Sequence, residues 1–256
     1  MTRHVISVVL LWLGLTAIGE SLVFLDLFPT VGAAEAKDFD QIFRILLFMG
    51  IPVFSFAIAM LAYSMLAFKG TGQPDEAGPT YRGSGAIPKI WLAITGSLAA
   101  LVMVYPGMTG LADLQFSRDG FGWGKTDAEL VVQVTGQQFA WSYEFPQSGV
   151  SIPPVAGKEL WLPENTRVKF EIHALDVLHS FWIPAFRMKI DAVPGRMTFF
   201  TVETEHLGYY KDDDSFRVQC AELCGLNHTT MFTAVRVVSR EDFEKWTQDQ
   251  PKTEKK

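Results

Sequence analysis

Residues 220–231 read Cys-Ala-Glu-Leu-Cys-Gly-Leu-Asn-His-Thr-Thr-Met and hold both cysteines of the chain. Cys220, Cys224, His228 and Met231 follow one another at intervals of four, four and three residues. Thiolate and thioether donors select copper, zinc or iron–sulfur, and a Met beside Cys and His favours copper. His179 lies upstream in a strand-rich region, where the fold can bring it to the same place. Two Cys, two His and one Met exceed what one small copper ion takes, and suit two ions sharing bridging sulfurs. The donor set therefore predicts a dinuclear copper electron-transfer site. Bridging thiolates spread one electron over both metals, and a surrounding sheet holds the geometry fixed between redox states.

A disulfide between Cys220 and Cys224 is the competing reading, since paired cysteines outside the cytoplasm are usually oxidised. His228 and Met231 at short fixed offsets, with Gly225 relieving the backbone between them, argue against it. A copper chaperone of thioredoxin type also carries two cysteines four apart, but with a Pro beside the second and alternating strands and helices. Here Gly225 follows Cys224, and the surroundings have strand texture. The remaining histidines, His4, His173 and His206, have no such company.

Three strings in order, Asp176-Val-Leu-His179-Ser-Phe-Trp-Ile-Pro184, Lys189-Ile-Asp-Ala-Val-Pro-Gly-Arg196 and the Cys/His/Met cluster, resemble subunit II of haem–copper cytochrome c oxidases. The resemblance implies that Cys220 and Cys224 bridge two coppers, with His179 and His228 each capping one. It makes Met231 and the backbone carbonyl of Glu222 weak ligands, one per ion. The Glu222 carboxylate would help hold a magnesium or manganese ion against subunit I. The implied partners are oxidase subunit I, which carries the haem, other oxidase subunits, and a soluble cytochrome c or small blue copper protein as electron donor. The implied activity is electron transfer to subunit I, where oxygen is reduced to water with proton translocation. A nitrous-oxide-reductase-like copper domain, a quinol oxidase subunit and a copper-delivery protein are the alternatives. A quinol oxidase subunit would have lost the copper ligands, all of which stand here.

Two positions depart from that family. Its aromatic segment usually carries Trp where Phe139 stands here, while Trp141 matches the second position; the likeness makes Phe139 and Trp141 the candidates for electron uptake from the donor. Both also suit simple core packing, Trp141 above all. The acidic residue expected three positions before Trp91 is Pro88.

The elements that must carry the site follow from composition: 48% of the 256 residues are hydrophobic, and these concentrate before residue 113. Val5 to Leu27, Ile42 to Phe68 and Ile87 to Leu111 are long apolar stretches. A hydrocarbon core of about 30 Å takes about 20 helical residues, so the second and third predict a transmembrane hairpin over 35–112. The loop from Gly70 to Pro79, flanked by Lys69, Arg82 and Lys89, falls on the cytoplasmic side by the positive-inside bias, placing everything after 112 outside a cell membrane. Residues 1–34 read either as a signal peptide or as a retained third helix, and the apolar run resumed at Leu22 favours retention.

Beyond residue 112 the texture becomes short alternating runs: 129–135, 139–145, 159–162, 167–173, 197–202, 216–220 and 232–238, separated by Gly and Pro. These predict an all-β cupredoxin-like Greek-key sandwich over 113–239. Ser239 caps a short helix, and the rest of 240–256 reads as that helix and a flexible charged tail. Residues 113–256 carry 21 acidic and 16 basic side chains. Asp176 and the run Asp212, Asp213 and Asp214 are candidates for steering a basic donor. Nothing in the chain suggests nucleic-acid binding.

Overall fold

The computed structural model describes residues 2–25, 27–69, 85–113, 122–123, 127–155 and 157–252. The expected Gly70–Pro79 loop with Arg82, and the last four residues of the charged tail, lie outside them. The chain divides into two compact units, one of residues 1–27 and 41–110, the other of residues 28–40 and 111–256.

The helical unit is built from α1 (Thr2–Val23), most of α2 (Ala34–Ala67) and α3 (Ala86–Val102). Among the described residues three helical stretches are long and apolar enough to cross a membrane: Arg3–Val23, Ala34–Ala67 and Ala86–Met108. Helix α2 starts eight residues before the apolar run that predicted it, so Glu35, Asp38 and Asp40 lie in its opening turns. The third apolar run is not one continuous helix. Tyr105 is extended (φ −137°, ψ 119°), as a residue before proline prefers, and α4 (Thr109–Asp113) follows Pro106. Within this unit α1 packs on α2: the indole of Trp12 donates to the carbonyl of Pro52 at 2.8 Å, and Trp12 meets Phe56 edge-on.

The second unit is a two-sheet sandwich. Its strands are β1 (Gly122–Trp123), β2 (Leu130–Gln137), β3 (Ala140–Phe145), β4 (Val150–Ile152), β5 (Glu159–Pro163), β6 (Thr166–Ala174), β7 (His179–Trp182), β8 (Lys189–Ala192), β9 (Thr198–Thr204), β10 (Gly208–Tyr209), β11 (Arg217–Cys220) and β12 (Phe232–Val238). One sheet runs β1-β9-β6-β2-β3-β4, the other β10-β12-β11-β7-β8, with β5 added to β12. Both sheets are mixed: β2 pairs with β6, and β5 with β12, in parallel. Side chains along β2 and β6 alternate strictly between buried and half-buried, the period of a strand with one face on a core. Across the sandwich Phe181 of one sheet meets Phe170 and Phe200 of the other, with centroids 5.3 and 5.9 Å apart. All three are fully buried, each contributing roughly 1.5–3 kcal/mol by removal from water.

Ser239 caps α5 (Arg240–Asp249) as its sequence suggests, its hydroxyl accepting from the Asp242 amide at 3.2 Å. Trp246 on α5 stacks flat on Trp161 of β5 at 5.6 Å. Beyond α5, Lys252 bridges to Val150 of β4.

Residues 28–40, between the first two apolar helices, are built into the sandwich. The Gly32 amide donates to Ala185 at 2.8 Å, and Ala33 bridges to Thr204. A side chain at Gly32 would fall 2.9 Å from the Phe186 ring, which explains the glycine. The guanidinium of Arg187 is bidentate on Asp40 at 2.8 and 2.9 Å, and also donates to the carbonyls of Pro29, Thr30 and Pro184.

Candidate metal centre

Three neighbouring strands deliver the donors. Strand β7 begins with His179 and pairs antiparallel with β11, which ends in Cys220; Cys220 stands opposite Phe181. Strand β12 pairs with the other edge of β11, and the Cys220 amide donates to the Met231 carbonyl at 3.0 Å. The β11–β12 connection must therefore close over Cys220. Gly225 sits in it at φ +135°, a region that favours glycine, and a tight turn at His228–Thr230 returns the chain to β12.

The result is a chain of donors with the sulfurs at its centre. The two Sγ atoms are 3.8 Å apart. Cys220 Sγ lies 3.8 Å from His179 Nδ1 and 3.3 Å from the Glu222 carbonyl oxygen. Cys224 Sγ lies 3.7 Å from His228 Nδ1 and 3.8 Å from Met231 Sδ. Each sulfur thus has its own imidazole and its own weaker donor. The cysteines are free thiols, far beyond disulfide length, so the competing disulfide is not formed. His179, Cys220, Cys224 and Met231 are buried, whereas His228 is half-buried and the Glu222 side chain exposed.

Burial, and then the negative charge of Cys220, push the Cys224 thiol up to about 12. A metal at this sulfur must displace a proton, so binding releases one and strengthens as pH rises. Such a site favours ions that bind thiolate tightly. The donor types, their burial and their spacing fit copper.

A second layer holds the first. Asp176 Oδ1 lies 2.9 Å from His179 Nε2 and accepts from the Val177 amide at 2.7 Å; its Oδ2 accepts from the Gln138 amide at 2.7 Å. Burial opposes ionisation of this carboxyl, but those amide and imidazole donors together hold it below the usual carboxylate range. A proton on Nε2 leaves Nδ1 with its lone pair toward Cys220, the form a metal needs. Gly136 lets the imidazole approach the backbone of β2: a side chain there would lie 2.9 Å from Trp141 and 3.3 Å from His179. A glycine inside a strand pattern marks such close approach, and this signal was open to sequence reasoning.

The two aromatic candidates part ways. Trp141 is 3% exposed and stands edge-on to His179 and Phe181, with centroids 5.9 and 5.5 Å away. Phe139 lies in the turn before β3 rather than in the strand, half-buried, with its ring 3.0 Å from where a Gly225 side chain would begin. Of the candidate aspartates, Asp176 stands beside the cluster and the run Asp212 to Asp214 does not. Asp212 to Asp214 precede the start of β11, the end opposite Cys220. The Asp213 carboxylate accepts from the Ser215 amide at 2.8 Å, and Asp214 pairs with Arg217 at 3.3 Å.

Helices long and apolar enough to cross a membrane thus stand ahead of a cupredoxin-like sandwich whose soft-donor cluster, from β7 and the β11–β12 loop, could hold a metal. Residues 155–238 match the family of the periplasmic domain of cytochrome c oxidase subunit II. The chain is 33% identical over 172 residues to cytochrome c oxidase subunit 2 of Alkalihalophilus pseudofirmus, covering 67% of this chain and 46% of that protein. Against subunit 2 of Synechocystis sp. it is 27% identical over 280 residues, 94% of this chain and 79% of that protein. The solved periplasmic domain of subunit II from Bradyrhizobium japonicum shares 32% identity, covering 48% of this chain and 94% of that one, with a TM-score of 0.44. The chain belongs to the cytochrome c oxidase subunit II family. It spans less than half the length of the first of these curated relatives. Membership implies a copper centre, and the His/Cys cluster is the group that suits it.

Proposed function

We propose that this chain is the electron-accepting subunit of a terminal haem–copper oxidase and that its cluster holds two copper ions. The observation that carries the reading is the paired arrangement: two buried sulfurs 3.8 Å apart, each with one imidazole and one weaker donor of its own. One ion would leave half of that set unused. His179, Cys220, the carbonyl of Glu222, Cys224, His228 and Met231 are the proposed ligands. When bound, the metal pair supplies a one-electron store between a soluble donor, cytochrome c or a small blue copper protein, and haem in subunit I, where oxygen becomes water with proton translocation.

This chain's residues do the rest. Asp176 orients His179, the sandwich excludes water from the sulfurs, and the exposed Glu222 carboxylate is free to bind magnesium or manganese against subunit I. The half-buried Phe139, in the β2–β3 turn that lies against the loop, is the proposed landing point for the donor, with Asp176, Asp212, Asp213 and Asp214 available to steer it. The apolar helices set the chain in a cell membrane as a multi-pass protein, and the positive-inside bias of Lys69, Arg82 and Lys89 supports an extracytoplasmic sandwich. Metal analysis and electron spin resonance of the full chain loaded with copper test this reading. Two coppers per chain and a signal from one electron shared by two copper nuclei are expected; a single ion with a one-nucleus signal overturns it.

A further inference from the structure

The side-chain amide of Gln138 donates to the carbonyl of Cys224 at 2.6 Å, while its backbone amide donates to Asp176 Oδ2 at 2.7 Å. A carbonyl can only accept, so the NH2 of the Gln138 side chain, and not its oxygen, faces the loop. Through Asp176, the same residue reaches His179 Nε2. Its neighbour Phe139 closes on Gly225, the residue after Cys224. One turn between β2 and β3 therefore grips both halves of the donor set: the histidine delivered by β7, and the cysteine delivered by the β11–β12 loop.

We propose that Gln138 is a positioning residue that fixes the separation of the His179 and Cys224 halves before any metal arrives; the inference rests on the copper reading above. The loop has few other ties. Among the described residues its backbone bonds between Cys224 and Met231 run from His228 to Gly225, Thr230 to Asn227 and Met231 to His228, and its backbone ties to the strands stand at its two ends, Ala221 to Ser180 and Cys220 to Met231. Leu223 and Leu226 point outward, 78% and 98% exposed, so the leucines on either side of Cys224 do not anchor it by apolar packing. Cys224 is nonetheless 5% exposed. The Gln138 bond to its carbonyl is a tie from outside the loop that holds Cys224 inward. With that tie in place, the donors are already spaced when metal binds, and little ordering remains to oppose binding or to follow a change of redox state.

The test compares the full-length chain in detergent with Gln138→Ala and Gln138→Glu. The second keeps the side-chain volume but presents only acceptors to the Cys224 carbonyl. In the metal-free protein, reaction of Cys224 with a thiol reagent, measured in a Cys220→Ser background, should quicken about fivefold in both variants, the change that loss of one ordinary hydrogen bond gives. In the copper-loaded protein, with both cysteines present, copper affinity should fall about tenfold and the reduction potential should shift, with an unchanged melting temperature. Wild-type thiol reactivity and an unshifted potential in both variants overturn the role of Gln138. If the wild-type chain takes up no copper, the copper reading fails by itself, and the thiol measurement still judges whether Gln138 holds the loop. Should the alanine variant lose its fold, the glutamate variant carries the comparison.

Discussion

His179 turns its Nε2 to Asp176, 2.9 Å away, and its Nδ1 to Cys220, 3.8 Å away. One ring therefore links a carboxylate on its outer side to a sulfur on its inner side. The carboxylate is itself held by two backbone amides, so it cannot swing away without breaking three hydrogen bonds. Replacing Asp176 by Ala should leave the fold intact and weaken copper binding about tenfold or more, because the ring loses the partner that sets its tautomer. Asp176→Asn keeps an acceptor oxygen and should lose less. Competition titration against a copper chelator separates the two, and equal affinity in all three proteins would remove the positioning role.

The donors should differ in rank. Cys220→Ser or Cys224→Ser removes one of the two sulfurs proposed to be shared, and metal analysis should then find at most one copper per chain. Met231→Leu should keep two coppers and shift the reduction potential, since a weak thioether donor tunes a copper site more than it holds it. If Met231→Leu abolishes binding while Cys220→Ser keeps both ions, the assignment of bridging and tuning donors is wrong.

Arg187 should matter for stability rather than for the metal. Its side chain is 11% exposed, and it joins Asp40, Pro29 and Thr30 to the Pro184 turn. Arg187→Ala leaves Asp40 and those carbonyls without their donor, at a cost of about 3 kcal/mol. A fragment of 113–256 alone lacks residues 28–40 and should melt lower than one in which that segment is fused back. Equal melting temperatures would show that the segment contributes nothing to the sandwich.

Much of this architecture is legible in the residue pattern. Continuous apolar runs mark α1, α2 and α3, and alternation marks β2, β6 and β12 to within two residues. Strand β7 escapes that reading because its first three residues, His179, Ser180 and Phe181, are all buried and do not alternate. The parallel pairing of β2 with β6 is set by crossovers that no local pattern records. The docking of residues 28–40 on the sandwich is not legible, since it rests on backbone bonds of Gly32 and Ala33 to Ala185 and Thr204 and on the Asp40–Arg187 pair 147 residues apart, none of which makes a local pattern. Cys220, Cys224, His228 and Met231 are readable from spacing because they share one short loop. Gln138 is not, because what it touches is the carbonyl of Cys224.

Acid should destabilise the sandwich in a predictable direction. A hydrogen bond from Arg240, then one from the Arg167 amide, holds the Glu129 carboxyl below its ordinary value; Lys169 does the same for Glu171. Folded-state values below unfolded ones mean that this stability is present above about pH 4 and lost as pH falls through the folded values. Arg240→Gln and Lys169→Met should each flatten the acid limb of melting temperature against pH. An unchanged acid limb in both variants would assign acid sensitivity to other carboxyls.

Electron uptake should separate into a docking part and a transfer part. Phe139 lies against the loop at Gly225, half-exposed and one residue from the tie that Gln138 makes to Cys224. Asp212 and Asp214 lie beyond the far end of β11, both exposed, and Asp213 is engaged with the Ser215 amide. Neutralising Asp212 and Asp214 to Asn spares that structural bond. Charges at such a distance act on encounter, so the change should slow association with a basic donor and flatten its salt dependence, without altering the copper spectrum. Phe139→Ala should instead slow transfer at saturating donor and leave the salt dependence alone, because it removes contact at the loop but no charge. Stopped-flow reduction across a salt series measures both. If the aspartate variant associates as the wild type does while Phe139→Ala slows transfer, the donor lands on the loop unsteered by this run. If neither variant differs from wild type, electrons reach the sulfurs by another face, and His228, half-buried on the other side of Cys224, is the next residue to probe.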